Sequence, residues 1–236
     1  MVSRATELRL VSLAGALLAI AFIGWPQLDL LVSDFFRQAD WQFLVDVDGP
    51  LREFLYRITP PASRLLLLSL AGLFVLSFSQ RPSWLHARRA SVAFLLGAAL
   101  LGPVLVIDVG LKGYGGRARP QKVEELGGKQ IFTPAFIPAN ECKWNCSFVS
   151  GHVATASFFM AFGWLGTLRT RRRWMLGATV FAAYMAWTRV SLGGHFLSDT
   201  VFAWFFTYYS LWLTEFIFRR FGWLPQAPPP SDKPQP

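Results

Sequence analysis

Apolar residues occur along this chain in long blocks, and short segments between the blocks hold most of the charges. A helix that crosses a hydrocarbon core of about 30 Å needs roughly 20 such residues, whereas a helix of a soluble protein is apolar on one face only. The pattern predicts an all-α polytopic membrane protein with interfacial helices in its first outer loop. Six transmembrane helices are predicted, at Leu10–Trp25, Ala62–Ser79, Ala90–Leu111, Phe148–Leu168, Trp174–Trp187 and His195–Phe218.

Arginine clusters all fall on one side of this six-helix arrangement. They are Arg4 and Arg9, then Arg81, Arg88 and Arg89, then Arg169, Arg171, Arg172 and Arg173, and finally Arg219 and Arg220. Basic residues mark cytoplasmic loops, so both termini are predicted to be cytoplasmic. The first apolar run lacks a small-residue cleavage site before Trp25, which favours a retained helix over a signal peptide.

The topology also accounts for most of the formal net charge of +9. An excess of basic residues is therefore no sign of nucleic-acid binding here. Residues 1–224 are predicted to form a single membrane-embedded domain. Residues 225–236 are rich in proline and are predicted to be a disordered cytoplasmic tail.

Two loops lie on the predicted outer side. Residues 27–60 mix apolar positions with Asp29, Asp34 and Asp40, as an interfacial helix does, and Asp48 followed by Gly-Pro predicts a second helix start. The other loop, residues 113–147, is glycine-rich and contains Cys142 and Cys146. An oxidising compartment favours a disulfide over free thiols, and two thiols are too few ligands for zinc.

Three charged blocks lie at span ends on this same outer side. They are Lys112–Pro120, Phe148–Ala154 and Thr188–Thr200. They are far apart in sequence, and the topology alone brings them to one membrane surface.

The cations of these blocks suit a phosphate. Lys112, Arg119 and Arg189 are three cations without matching acids nearby, and arginine presents a planar fork to phosphate oxygens. Ser150 and Gly151 lie where a helix begins, so that backbone N–H groups and the positive end of a helix dipole are available to an anion.

Two imidazoles complete a site for phosphoryl transfer without a metal. His195 and Asp199 are four residues apart on one helical face, so the aspartate is expected to accept one ring proton and leave the other nitrogen as a lone pair. His152 supplies a second imidazole. Each charge alone has a structural explanation: a cation at a span end can snorkel, and Asp108 is expected to neutralise Lys112. Their coincidence on one surface favours catalysis.

These residues resemble the signature of the type 2 phosphatidic acid phosphatase superfamily. Its Lys-x6-Arg-Pro block is matched by Lys112, Arg119 and Pro120. Its Pro-Ser-Gly-His block is matched by Ser150, Gly151 and His152, with Val149 in place of proline. Its Ser-Arg-x5-His-x3-Asp block is matched by Arg189, His195 and Asp199, with Thr188 in place of serine.

The resemblance implies a metal-independent lipid phosphatase with no cofactor. His195 would form a phosphohistidine and Asp199 would orient it, while His152 would act as general acid and then help to activate water. The residues implied to hold the phosphate are Lys112, Arg119, Ser150, Gly151 and Arg189.

Relatives of this size act on phosphatidylglycerol phosphate, undecaprenyl pyrophosphate or the phosphates of lipid A. The loop FTPAFIPANECKWNCSFVSGH is most similar to that of the lipid A phosphatases, so the expected partner is a phosphorylated lipid at the outer face of a bacterial inner membrane. The vanadium haloperoxidases hold vanadate with the same blocks, but they are soluble and much larger. A transporter would not need these cations and imidazoles at one surface.

Overall fold

The computed structural model describes residues 3–37, 43, 50–79 and 82–224, and these residues form helices and connecting loops. The helices are α1 (Arg4–Gly24), α2 (Gln27–Phe35), α3 (Pro50–Leu76), α4 (Ser83–Ala87), α5 (Arg89–Ala99), a π-helical segment (Leu100–Leu111), α6 (Lys112–Tyr114), two 3-10 turns (Pro120–Lys122 and Glu124–Leu126), α7 (Gly151–Phe158), α8 (Met160–Trp164), α9 (Leu168–Ser191) and α10 (Leu197–Arg220). The predicted tail at 225–236 and the residues Asp40, Asp48 and Arg81 lie outside the described residues.

Four helical stretches of the described chain are long and apolar enough to cross a membrane. They are Arg4–Gly24, Pro50–Leu76, the continuous stretch Arg89–Tyr114, and Leu197–Arg220. The all-α polytopic class is thereby confirmed. The fourth predicted span is divided at Phe159 into α7 and α8, and the fifth is the interior of α9, whose first turns are rich in arginine. The count of six therefore stays a prediction.

The α9 helix, which contains the fifth predicted span, runs the whole length of the bundle. Near its start, Arg171 bonds to Glu7 of α1 at 2.7 Å and to Glu215 of α10 at 3.2 Å. Near its end, Arg189 lies beside the turn that leads into α10. The end of the bundle where Arg171, Glu7 and Glu215 meet is called the ionic end. The opposite end, where α7 and α10 begin, is called the site end.

The α3 helix begins twelve residues before the predicted span, with Pro50 in its first turn, and continues through Pro60 and Pro61. A proline inside a helix lacks an N–H and leaves the carbonyl four residues earlier unpaired. Side-chain hydroxyls support this region: Thr59 Oγ1 donates to the Leu55 carbonyl at 2.6 Å, and Ser63 Oγ donates to the Pro60 carbonyl at 2.9 Å. The carbonyl that Pro60 leaves unpaired is that of Tyr56.

The loop between α6 and α7 is held against the site end. Cys142 and Cys146 form a disulfide, as the outer location favoured. Cys146 N–H donates to the Lys112 carbonyl at 3.2 Å. The Phe136 ring packs edge-on against Phe202 of α10, with centroids 4.6 Å apart. The loop is thus an ordered wall of the site end.

Candidate active site

The three charged blocks meet at the site end. Ser150 N–H donates to the Asp199 carbonyl at 3.0 Å, and Gln121 N–H donates to the Gly193 carbonyl at 3.2 Å. Lys112 lies within electrostatic range of Arg119 and Arg189. The structure thus brings together every residue predicted for the site: Lys112, Arg119, Ser150, Gly151, His152, Arg189, His195 and Asp199.

His195 is held in the turn between α9 and α10. Gly193 has a left-handed φ of 61°, which ends α9, and the N–H groups of Gly194 and His195 both donate to the Arg189 carbonyl. The His195 side chain is buried, and its Nδ1 lies 2.7 Å from the carbonyl oxygen of Ser147. A carbonyl can only accept, so this hydrogen bond assigns the proton to Nδ1 and the lone pair to Nε2.

The expectation that Asp199 accepts the His195 ring proton is not met. The two groups are 3.7 Å apart, too far for a hydrogen bond. The Asp199 carboxylate instead accepts from Phe196 N–H at 2.8 Å, from the Ser147 hydroxyl and from Arg117 Nη1 at 2.5 Å. Because these donors are closer, Asp199 holds Ser147 and the turn, and the Ser147 carbonyl holds the imidazole.

Arg117 and Asp29 form a buried network that sequence reasoning missed. Arg117 Nη1 bonds to Asp199, Nη2 bonds to Asp29 Oδ2 at 2.8 Å, and Nε bonds to the Thr133 carbonyl at 2.8 Å. Asp29 also accepts from Ser198 N–H at 2.8 Å, at the start of α10. Asp29 was expected on the polar face of an interfacial helix. It is buried instead, because these donors compensate its charge.

Burial shifts the pKa values of the groups in this network and in the turn before α10. It raises the pKa of Asp29, against the opposing effect of the Arg117 guanidinium. It lowers the pKa of the His195 imidazole to about 3, although the negative charge of Asp199 acts in the opposite direction. The His195 imidazole is therefore neutral at neutral pH.

Two glycines let the cations approach the backbone. A Cβ at Gly151 would lie 3.1 Å from Lys112 Nζ, and a Cβ at Gly194 would overlap the Arg189 guanidinium. Within the described chain, Ser150 Oγ and Arg189 Nε are buried without a hydrogen-bond partner. The first turn of α7 adds N–H groups that the helix itself leaves unpaired. Unpaired donors and cations at one helix start suit a phosphate.

His152 is held by Tyr56 of α3, another residue that sequence reasoning missed. The two rings stack with centroids 5.2 Å apart and an interplanar angle of 8°, and His152 Nε2 lies 3.2 Å from the Tyr56 carbonyl oxygen. This is the carbonyl that Pro60 leaves unpaired. The Arg189 guanidinium lies 4.9 Å from the centroid of the same Tyr56 ring. The sequence signal for this contact is the proline four residues after Tyr56, because it leaves the Tyr56 carbonyl without its helical partner.

Comparisons with known proteins identify the family of this chain. The profile of the PAP2 superfamily matches residues 90–223. A lipid A 4'-phosphatase of Francisella tularensis subsp. novicida (strain U112) is 32% identical over 210 residues, which cover 85% of this chain and 90% of that protein. A lipid A 4'-phosphatase of Rhizobium leguminosarum is 37% identical over 134 residues, which cover 54% of this chain and 55% of that protein. No solved structure gives a significant match. The chain therefore belongs to the PAP2 superfamily, as a phosphatase embedded in a membrane.

Proposed function

We propose that this protein hydrolyses a phosphate monoester of lipid A at the outer face of a bacterial inner membrane, and that the reaction passes through a phosphohistidine on His195. The observation that carries the proposal is the hydrogen bond of 2.7 Å between His195 Nδ1 and the Ser147 carbonyl. It leaves Nε2 with its lone pair on an imidazole that lies within electrostatic range of Arg119 and Arg189, where a phosphate would bind.

In the first step, His195 Nε2 attacks phosphorus and the bond from phosphorus to the sugar oxygen breaks. The departing oxygen takes a proton from His152. Because His152 Nε2–H is engaged with the Tyr56 carbonyl, the nitrogen that gives this proton is Nδ1. The cations and the N–H groups of α7 stabilise the charge that develops on the phosphoryl oxygens.

In the second step, a water oxygen attacks phosphorus and the phosphorus–nitrogen bond breaks. His152 Nδ1 takes a proton from that water, which restores the acid for the next turnover. Inorganic phosphate leaves, and His195 regains its lone pair at Nε2. The Ser147 carbonyl stabilises the positive charge on the phosphorylated imidazole, since it faces Nδ1–H throughout.

The distribution of charge supports an outer location of the site. Arg4, Arg171 and Arg219 all contact Glu215 at the ionic end. Basic residues mark the cytoplasmic side, so the site end faces the periplasm in this proposal.

The choice of lipid A rests on the relatives. The lipid A 4'-phosphatase of Francisella is similar to this chain over nearly its whole length. Phosphatidylglycerol phosphate and undecaprenyl pyrophosphate are the alternatives that the site chemistry also accommodates.

The test of substrate is phosphate release by the purified chain from lipid A, phosphatidylglycerol phosphate and undecaprenyl pyrophosphate. We expect the highest kcat/KM on lipid A. A higher value on either of the other lipids would refute the assignment.

The test of mechanism is mass spectrometry of His152→Ala quenched in alkaline detergent after reaction with p-nitrophenyl phosphate, whose leaving group needs no proton. We expect an acid-labile phosphate on residue 195 and none in His195→Ala. His86 bonds to the Ser77 carbonyl, away from the site, so His86→Ala is the matched control and should keep full turnover. An adduct on His152 in the His195→Ala protein would reverse the two roles.

A further inference from the structure

A cavity of about 440 Å³ opens beside the phosphate-binding residues. Lys112 and His152 line one end of it. The rest of its wall includes Ser63 and Arg64 of α3, Asp108 of the π-helical segment and Thr155 of α7. None of these four takes part in the phosphoryl transfer described above, so they form a separate surface beside it.

Arg64 lies farther along α3 than Tyr56, the residue that contacts His152. It follows Tyr56 by eight residues, or about 12 Å of helix. Arg64 is exposed, and among the described residues no acid pairs with it. On the same helix, Arg57 pairs with Glu53 at 2.7 Å. An unpaired cation within a membrane-crossing helix is costly unless it faces water or a polar ligand, and Arg64 faces this cavity.

Ser63 and Asp108 add polar groups to the wall, which also includes Pro60 and Trp144. Ser63 donates its hydroxyl proton to the Pro60 carbonyl and so offers its oxygen as an acceptor. Asp108 pairs with Lys112 at 3.6 Å, yet 59% of its side chain is exposed. An acyl chain here would leave these groups unpaired, at a cost. A ligand with many hydroxyl and carbonyl oxygens would pair with all of them.

We propose that this cavity binds the sugar next to the scissile phosphate of a phosphorylated glycolipid, and that Arg64 donates to oxygen atoms of that sugar or of its acyl-linkage carbonyls. The inference rests on the proposed function and makes it more specific. Ser63 and Arg64 precede residues 90–223, the part that matches the superfamily profile. In this proposal, the α3 side of the cavity wall adds substrate selection from outside the matched part, while Asp108 and Thr155 lie within it.

The test compares two substrates on the same purified full-length chain in detergent: lipid A, and p-nitrophenyl phosphate, which has no sugar. The measured quantity is the ratio of kcat/KM for lipid A to kcat/KM for p-nitrophenyl phosphate. A charge-assisted hydrogen bond lost in Arg64→Gln should lower this ratio about 10- to 100-fold. Arg64→Lys keeps the charge and should lower it less. Arg57→Gln changes an exposed ion pair on the same helix and should leave the ratio within about twofold of wild type.

The ratio is unaffected by partial misfolding, because only folded molecules hydrolyse either substrate. A ratio unchanged in Arg64→Gln, in a wild type that hydrolyses lipid A, would overturn the sugar site alone. An equal fall in Arg57→Gln would overturn it as well, since the effect would then belong to α3 as a whole. A wild type active on p-nitrophenyl phosphate and inactive on lipid A would overturn the proposed substrate and the sugar site together.

Discussion

Replacing Arg117 with methionine tests the buried network that holds the turn between α9 and α10. Methionine keeps most of the length of the side chain and removes its charge. The change deletes the hydrogen bonds to Asp29 and Asp199 and leaves both carboxylates without their cation. Breaking a buried ion pair by removing one partner costs about 3–5 kcal/mol. We expect a loss of that size in the free energy of unfolding.

The loss should depend on pH, and Asp29 determines the sign. Burial raises the pKa of Asp29 even with Arg117 present, and loss of the cation raises it further. A carboxyl whose pKa is higher in the folded state binds its proton more tightly there, so its stabilising contribution is present at low pH and is lost as pH rises. The deficit of Arg117→Met should therefore be smaller at pH 5 than at pH 8.

Unfolding by SDS in mixed micelles, followed by tryptophan fluorescence, measures this free energy. Lys122 is exposed in the same loop, so Lys122→Met is the matched control, with an expected change within about 0.5 kcal/mol. Adding Asp29→Asn removes one of the unpaired carboxylates, so the double variant should lose less than the sum of the single losses. A loss in Arg117→Met no larger than in Lys122→Met would refute the reasoning.

Four further outcomes are expected. Phosphate release should persist in excess EDTA, because protein cations stabilise the transition state; activity restored only by an added divalent ion would contradict this. Arg189→Ala should lower kcat about 10²–10³-fold, and Arg189→Lys should recover part of that loss. A near-normal kcat in the alanine variant would place Arg189 outside the site. Pro60→Ala gives the Tyr56 carbonyl a helical N–H partner in competition with His152, so it should slow lipid A hydrolysis more than hydrolysis of p-nitrophenyl phosphate, whose leaving group needs no acid. Equal slowing of both reactions would show that the Tyr56 carbonyl does not position His152 as the acid. In NMR spectra of ¹³C-histidine-labelled protein, His195 should remain neutral down to pH 5, since burial lowers its pKa to about 3; a midpoint near pH 6.5 would contradict the burial argument.

The sequence predicted the parts of the site whose chemistry is local. Spacing alone placed His195 four residues before Asp199, and the alternation of spans brought the three charged blocks together. The sequence could not predict which acceptor holds His195, because Ser147 is 48 residues away and its main-chain carbonyl has no residue-type signature. The same limit applies to Asp29 and Arg117, which are 88 residues apart.

The predicted start of the second span was wrong for a different reason. The second span was predicted to begin at Ala62, yet α3 begins at Pro50 and continues through Pro60 and Pro61. Hydroxyls of Thr59 and Ser63 bond to nearby carbonyls, and a histidine from α7 bonds to the Tyr56 carbonyl. The two hydroxyl bonds are local, but only the histidine bond pairs a carbonyl that a proline leaves unpaired, and that bond depends on tertiary packing.

The ionic end has a consequence for how the chain is built into the membrane. Arg171 is fully buried on α9, lies 3.6 Å from the centroid of the Trp164 ring, and is neutralised by Glu7 and Glu215. An arginine inserted alone into a bilayer is costly. One of its two carboxylates precedes it by 164 residues and the other follows it by 44 residues. The charge of Arg171 is therefore fully compensated only after α10 has been synthesised, so α9 and α10 take up their final positions together.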